Sequence, residues 1–190
     1  MSNDALRIEL QQLQAAMQQD MRERWNRDLP FDELLFDRWE RAKTLGFGER
    51  SSIHQSSYVY GDVHVGEHTW IGPFTILDGS AGLRIGRYCS ISAGVQIYTH
   101  DSVRWALSGG AAEYERAPVA IGDCCYIGPQ TVVARGITIG DHVVVGANSL
   151  VNRDVPAFSI VAGSPCRVVG RVALDGADVK LRFEANDEPR

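Results

Sequence analysis

One short stretch gathers the residues best suited to chemistry. Thr99-His100-Asp101 is followed by Trp105 and then by Glu113-Tyr114. Imidazole titrates close to neutral pH, so His100 can take a proton from a hydroxyl or amine as that group attacks an electrophile. One ring nitrogen must then face the reacting group, and a partner on the other must fix the tautomer. Asp101, Glu113 or a backbone carbonyl could be that partner. A second set is cationic: Arg153, Arg167 and Arg171 lie near one another towards the end of a chain with formal net charge −5. Guanidinium groups clustered on an acidic chain suit phosphate. The four cysteines lack the C-x-x-C spacing of redox and metal sites. Cys89 and Cys125 read as small buried thiols, and Cys124 has no base near it in sequence to make it a nucleophile.

The elements that must position these groups follow two periods. Over residues 4–27, Leu6, Leu10, Leu13, Met17, Met21 and Trp25 recur at steps of three or four, which predicts an amphipathic helix. Asp28-Leu29-Pro30 interrupts it. Phe31, Leu34, Leu35 and Trp39 then predict one further helix, ending near Gly46. Together they read as a helical lid that buries apolar surface.

From residue 53 the period becomes six. Aliphatic residues lead successive units at Ile53, Val59, Val65, Ile71 and Leu77. After a slip of two residues they resume at Ile85, Ile91 and Ile97, and after a long interruption they return at Ile121, Ile127, Val133, Ile139, Val145 and Val151. Four residues beyond each lead the side chain is usually small or β-branched, as at Thr69, Thr75, Cys89, Val95, Cys125 and Thr131. Strand side chains alternate with period two, and two divides six, so every lead residue can point the same way if the chain turns once per unit. Gly follows the lead at 66, 72, 86, 122, 128, 140 and 146, where its backbone freedom is expected to ease that turn. One coil cannot bury its own leads, but stacked coils form aliphatic ladders and satisfy one another's backbone groups. This predicts an all-β solenoid, a parallel β-helix. Repeat proteins place insertions on one face, often the functional one, which makes 98–118 a protruding loop.

The composition is that of a soluble globular chain, with 44% hydrophobic and 23% charged residues. The acidic balance argues against general affinity for nucleic acid or anionic membrane. The N-terminus lacks the regions of a signal peptide and no apolar run reaches bilayer length, so a cytoplasmic protein is expected.

The repeat units and the segments VAIGDCCYIGPQTVVARGITIGDHVVVGANSLVNRDVP and AGSPCRVVGR resemble the hexapeptide-repeat acyltransferases. The likeness is to galactoside and maltose acetyltransferases and to the sugar acetyltransferases of surface-polysaccharide synthesis. It covers roughly residues 53–171. It implies a left-handed β-helix, a hand that the usual crossover rule does not predict. The implied organisation is an N-terminal helical segment over 1–50, an acyltransferase domain over 51–171 and a tail over 172–190, partly disordered at its end. The resemblance also implies a homotrimer with acetyl-CoA in each cleft between subunits, no metal, and direct transfer to a hydroxyl or amine of a sugar or nucleotide-linked sugar.

By position in that family, His100 matches the catalytic histidine, with Asp101 where Pro is frequent. Pro129 and Ala147 match residues along the pantetheine arm, Asn152 and Arg153 a Thr-Lys pair near the coenzyme, and Arg167 a basic residue near its phosphates, with Arg171 close by. Asp78 falls near a position that bonds the acceptor, and Tyr98, Trp105 and Glu113 complete the expected acceptor end. Tyr98 and Trp105 could stack on a sugar ring or pack against a neighbouring subunit. The remaining histidines, His54, His64, His68 and His142, read as solvated or coil-corner residues. Two other functions are compatible with the same fold. A γ-carbonic anhydrase-like hydratase needs three histidines around zinc, and the H-x₄-H pair of that pattern is missing. A non-catalytic scaffold would need neither the His100 loop nor the AGSPCR end.

Overall fold

The computed structural model describes residues 3–184. Its centre is a left-handed parallel β-helix of triangular section. One face stacks Ser52–Ile53, Trp70–Ile71, Ser90–Ile91, Tyr126–Ile127 and Val144–Val145. A second face stacks Tyr58, Ile76, Gln96, Val132 and Leu150 in register. A third stacks His64, Arg84, Ala120 and Thr138. Partners on neighbouring coils are 18 residues apart, as in Ser52↔Trp70 and Val132↔Leu150. Across the slip they are 20 apart, as in Ile76↔Gln96.

The lead residues fill the axis. All are buried except Val59, which packs against the core from its edge. The small or β-branched positions named above, four residues on, are buried too; the Thr69 and Thr131 hydroxyls bond the next coil's backbone at Gly86 and Gly146, whereas the buried Thr75 hydroxyl has no partner among the described residues. The glycines after the leads do a different job from the one expected. The left-handed backbone falls two residues later, on side-chain-bearing residues such as Tyr88, Cys124, Gln130 and Asn148. The glycines instead provide room: a Cβ at Gly128 would sit 2.6 Å from the Ala147 nitrogen on the next coil, and one at Gly66 2.6 Å from that of Arg87.

The N-terminal region departs from the expected lid. Helix α1 (Asn3–Trp25) buries no residue, and Leu6, Leu10, Leu13 and Trp25 stay exposed. The second predicted helix is two, α2 (Phe31–Leu35) and α3 (Arg38–Thr44). The break arises because Phe36 is extended and Asp37 caps α3, accepting from the Trp39 and Glu40 N–H groups. These short helices close the first coil. Ala42 and Phe47 join the core, Arg41 donates to the His54 and Ser57 carbonyls, and Glu33 accepts from Ser56 and pairs with His54 at 3.0 Å. His54 is therefore a half-buried partner of Glu33 rather than a solvated residue. No helix among the described residues is long and apolar enough to cross a membrane.

The tail also differs from expectation. Strands Arg167–Asp175 and Asp178–Phe183 form an antiparallel hairpin that extends the first face beyond Ser159–Ala162. The end of the tail, 185–190, lies outside the described residues.

Gly128→Ala should lower stability by about 1–3 kcal/mol, the usual cost of overpacking. Urea melts of the two proteins check this, and an unchanged midpoint would refute the close-approach role.

Candidate active site

The loop at 98–118 carries a short hairpin neck, in which His100–Asp101 pairs antiparallel with Glu115–Arg116, and helix α4 (Val103–Leu107). His100 Nδ1 lies 2.7 Å from Asp78 Oδ2. Asp78 sits where the six-residue step slips. Instead of turning after Leu77, the chain runs on as one strand over Ile76–Ile85. Leu77 is in register with Ile97, so Asp78 falls beside the start of the loop.

The Asp78 carboxylate is buried and saturated. Oδ1 accepts from the Ser80 N–H at 3.0 Å and the Ser80 hydroxyl at 2.5 Å. Oδ2 accepts from the Thr99 N–H at 2.8 Å and its hydroxyl at 3.1 Å, besides the imidazole. Burial pushes the carboxyl up, but donation by Ser80, Thr99 and His100 outweighs it and holds Asp78 well below the usual carboxylate range. An ionised carboxylate can only accept, so Nδ1 carries a proton, and in the neutral imidazole Nε2 keeps its lone pair. Nε2 has no hydrogen-bond partner among the described residues, and the ring is 35% exposed. A held, oriented imidazole with an open basic nitrogen can act as a general base.

Two expected roles change. Asp101 does not hold the ring. Its Oδ2 takes Arg135 Nε at 2.5 Å, and its Oδ1 takes the Val103 N–H at 3.0 Å at the start of α4. Donation by Arg135 lowers the Asp101 carboxyl. The reason is geometric: neighbouring residues on an extended strand point to opposite sides. Asp78, expected near the acceptor, lies behind the ring at 2% exposure, with both oxygens accepting hydrogen bonds. Glu113 is exposed and makes no hydrogen bond or ion pair among the described residues; Glu115, two residues on, is the carboxylate that joins Arg135, at 2.7 Å.

Around His100 the structure gathers aromatic rings. Tyr114 lies parallel to the imidazole at 6.1 Å between centroids, and Trp105 meets Tyr114 edge-on at 5.6 Å. Tyr98 donates to Gln96 at 2.8 Å, and burial with nearby Asp78 raises its phenol. Tyr60, in register with Asp78, and Tyr58, stacked on it at 6.1 Å, add two exposed rings that the sequence reading passed over. Aligning coils 18 or 20 residues apart places both beside this site.

On the same face, towards the C-terminus, a shallow groove of about 340 Å³ is lined by Gln130, Val132, Asn148, Ser149, Leu150 and Ser164. Pro129 and Ala147 immediately precede two of these, and the Pro129 carbonyl accepts from the Asn148 N–H at 2.9 Å. Asn152 and Arg153 are exposed just past Leu150–Val151. Arg167 and Arg171 share the hairpin strand, where they donate to the Cys166 carbonyl at 3.0 Å and the Ser159 hydroxyl at 3.1 Å. Among the described residues no three His, Cys, Asp or Glu side chains are grouped to hold a metal ion.

Residues 118–153 match the bacterial transferase hexapeptide family (six repeats). The chain is 29% identical over 128 residues to galactoside O-acetyltransferase of Escherichia coli strain K12, covering 57% of this chain and 63% of that one. It is thus similar to less than two thirds of that relative's length. Among solved structures, a hexapeptide-repeat acetyltransferase from Vibrio cholerae superposes with TM-score 0.60 at 29% identity, over 88% of this chain and 91% of that one. A maltose O-acetyltransferase from Clostridium difficile superposes with TM-score 0.56 at 27% identity, over 85% and 87%.

Because the folded Asp78 carboxyl ionises below its ordinary value of about 3.9, its contribution to stability is full above that pH and fades as pH falls below it. Asp78→Asn should flatten this acid limb, and urea melts between about pH 5 and pH 3 check it. Asp78→Ala should cost about 3–5 kcal/mol, the range for removing one partner of a buried pair. A variant with wild-type stability at every pH would refute the buried role.

Proposed function

We propose that this hexapeptide-repeat chain moves an acetyl group from acetyl-CoA directly to a hydroxyl or amino group of a sugar. The observation that supports the reading is the ionised Asp78 behind His100 Nδ1, which leaves Nε2 without a partner among the described residues on a ring that lies beside Tyr114. A hydroxyl is a weak nucleophile at neutral pH unless a base takes its proton as the new bond forms. His100 Nε2 takes that proton while the acceptor atom bonds the acetyl carbon. The imidazolium, steadied by Asp78, then returns it to the departing thiolate, so free CoA leaves and His100 is restored. Asp78 acts as the orienting group, a part for which the sequence offers Asp101, Glu113 or a backbone carbonyl. No acyl-enzyme is needed.

In this reading the groove lined by Gln130, Asn148 and Leu150 takes the pantetheine arm, with the Pro129 and Ala147 backbone along it. Asn152 and Arg153 flank it, and Arg167 and Arg171 face the phosphates. The acceptor approaches from the side of Tyr98 and Trp105. A homotrimer would close the groove with a second subunit, as heterologous packing around a three-fold axis allows. The likeness to a galactoside and a maltose O-acetyltransferase supports a sugar as acceptor.

Release of free thiol from acetyl-CoA, followed in the presence of methyl galactoside, maltose and nucleotide-linked amino sugars, tests the activity. His100→Ala should lower turnover by about 10²–10⁴-fold with the fold intact by circular dichroism. Near-normal turnover in that variant removes His100 as the base. Arg167→Glu should raise the KM for acetyl-CoA more than that for the acceptor, and an unchanged coenzyme dependence removes Arg167 from the site.

A further inference from the structure

The neck of the His100 loop contains an electrostatic conflict. In its two-residue ladder Asp101 stands directly opposite Glu115. Like charges facing each other across an antiparallel pair are destabilising. Both acids lie at the solvent edge, with side chains 35% and 34% exposed. The conflict is resolved from outside the loop. Arg135, at the turn after strand Val132–Val133 on the next coil, donates Nε to Asp101 Oδ2 at 2.5 Å and Nη2 to Glu115 Oε2 at 2.7 Å. Arg104 in α4 reaches the other Glu115 oxygen at 3.2 Å. The same junction is tied by backbone bonds, from the Ala117 N–H to the Thr99 carbonyl and from the Gly136 N–H to the Ala117 carbonyl. A planar guanidinium with two parallel donors suits this bridge, whereas an ammonium offers only a point charge.

We propose that Arg135 is a positioning residue: by bridging the facing Asp101 and Glu115 carboxylates it fixes the hairpin neck, and with it His100, against Asp78. This rests on the reading of His100 as the base, and the chemistry assigned to Arg135 is only to hold. His100 is adjacent to Asp101 on one strand and opposite Arg116, so any splaying of the Asp101–Glu115 pair moves the ring relative to a carboxylate that is itself immobile. A displacement of about 1 Å in a catalytic group can cost on the order of 10²-fold in rate.

The experiment compares Arg135→Ala, Arg135→Lys, and Arg135→Ala combined with Asp101→Asn. Turnover and the KM for acetyl-CoA are measured, together with amide hydrogen exchange over 99–117. Arg135→Ala should lower kcat by about 10–10²-fold, leave that KM within about twofold, and speed exchange at the neck. Arg135→Lys should recover part of both losses. Removing the repulsion with Asp101→Asn in the alanine background should restore slow exchange and much of kcat. Wild-type kcat and exchange in Arg135→Ala overturn the proposal, as does a second substitution that restores neither. The exchange result stands whether or not His100 proves to be the base, so a failure of that assignment, seen in His100→Ala, is distinguished from a failure of this one.

Discussion

Everything in this molecule is subordinate to the close stacking of one coil on the next. Parallel strands lie about 4.8 Å apart, and each coil's N–H groups bond the carbonyls of its neighbour, as Tyr126 does to Val143 and Gly128 to Val145. At that spacing no side chain fits at certain corners, only aliphatic groups fit along the axis, and small hydroxyls or thiols fit where they can bond the adjoining backbone. The composition of the repeat is the record of this constraint. It also dictates where function can go. A segment that does not fit the period cannot remain in the coil, and must leave it whole and return in register, as 98–118 does between Ile97 and Val119.

The second consequence concerns the slip before Ile85. Two added residues would break the stack if they stayed in the ladder. The coil before keeps its six-residue step, so Tyr58–Val65 pairs with Ile76–Ile85 18 residues apart as far as Gly61↔Gly79 and 20 apart from Val63↔Leu83, and the added residues bulge from the later strand. That longer crossing creates a bend in which Ser80 and Thr99 can turn donors onto one carboxylate. Asp78 could not stay charged there without them, because burial alone favours the neutral acid. An irregularity of the scaffold thus supplies the acceptor for His100 Nδ1.

Much of this was legible in the residues and some was not, for physical reasons. The period of six named nearly every axial side chain, since burial of an aliphatic ladder is a local, repeating demand. The position of His100 in the protruding loop followed from where the period failed. Its partner did not follow, because Asp78 lies 22 residues earlier and meets it only through coil stacking; adjacency in sequence pointed to Asp101, which the strand's alternation turns the other way. The glycines were recognised but their role was misassigned, since sequence reveals a missing Cβ without revealing what approaches it. The tail reads as polar chain in the sequence, although Val179, Leu181 and Phe183 alternate with Lys180 and Arg182 after a turn at Gly176, which is a strand pattern. Its charged residues mask that alternation, since neither face of the strand is buried.

The two carboxylates near His100 show why burial decides role. Asp78 is enclosed, so it must be fully bonded, and its five donors, the imidazole among them, make it nearly immovable. Asp101 and Glu115 are partly hydrated and long enough to move, so each alone would hold the loop weakly. Shared between them, Arg135 does what neither acid can, because a fork with fixed geometry sets the distance between two strands as well as their charge balance. The ring is therefore located by two unlike devices, a rigid buried acceptor behind it and a solvent-edge clamp beneath its strand. A protein that must hold one nitrogen still while leaving the other open gains from that division. The buried device fixes orientation without blocking access, and the clamp stays outside the space that reactants need.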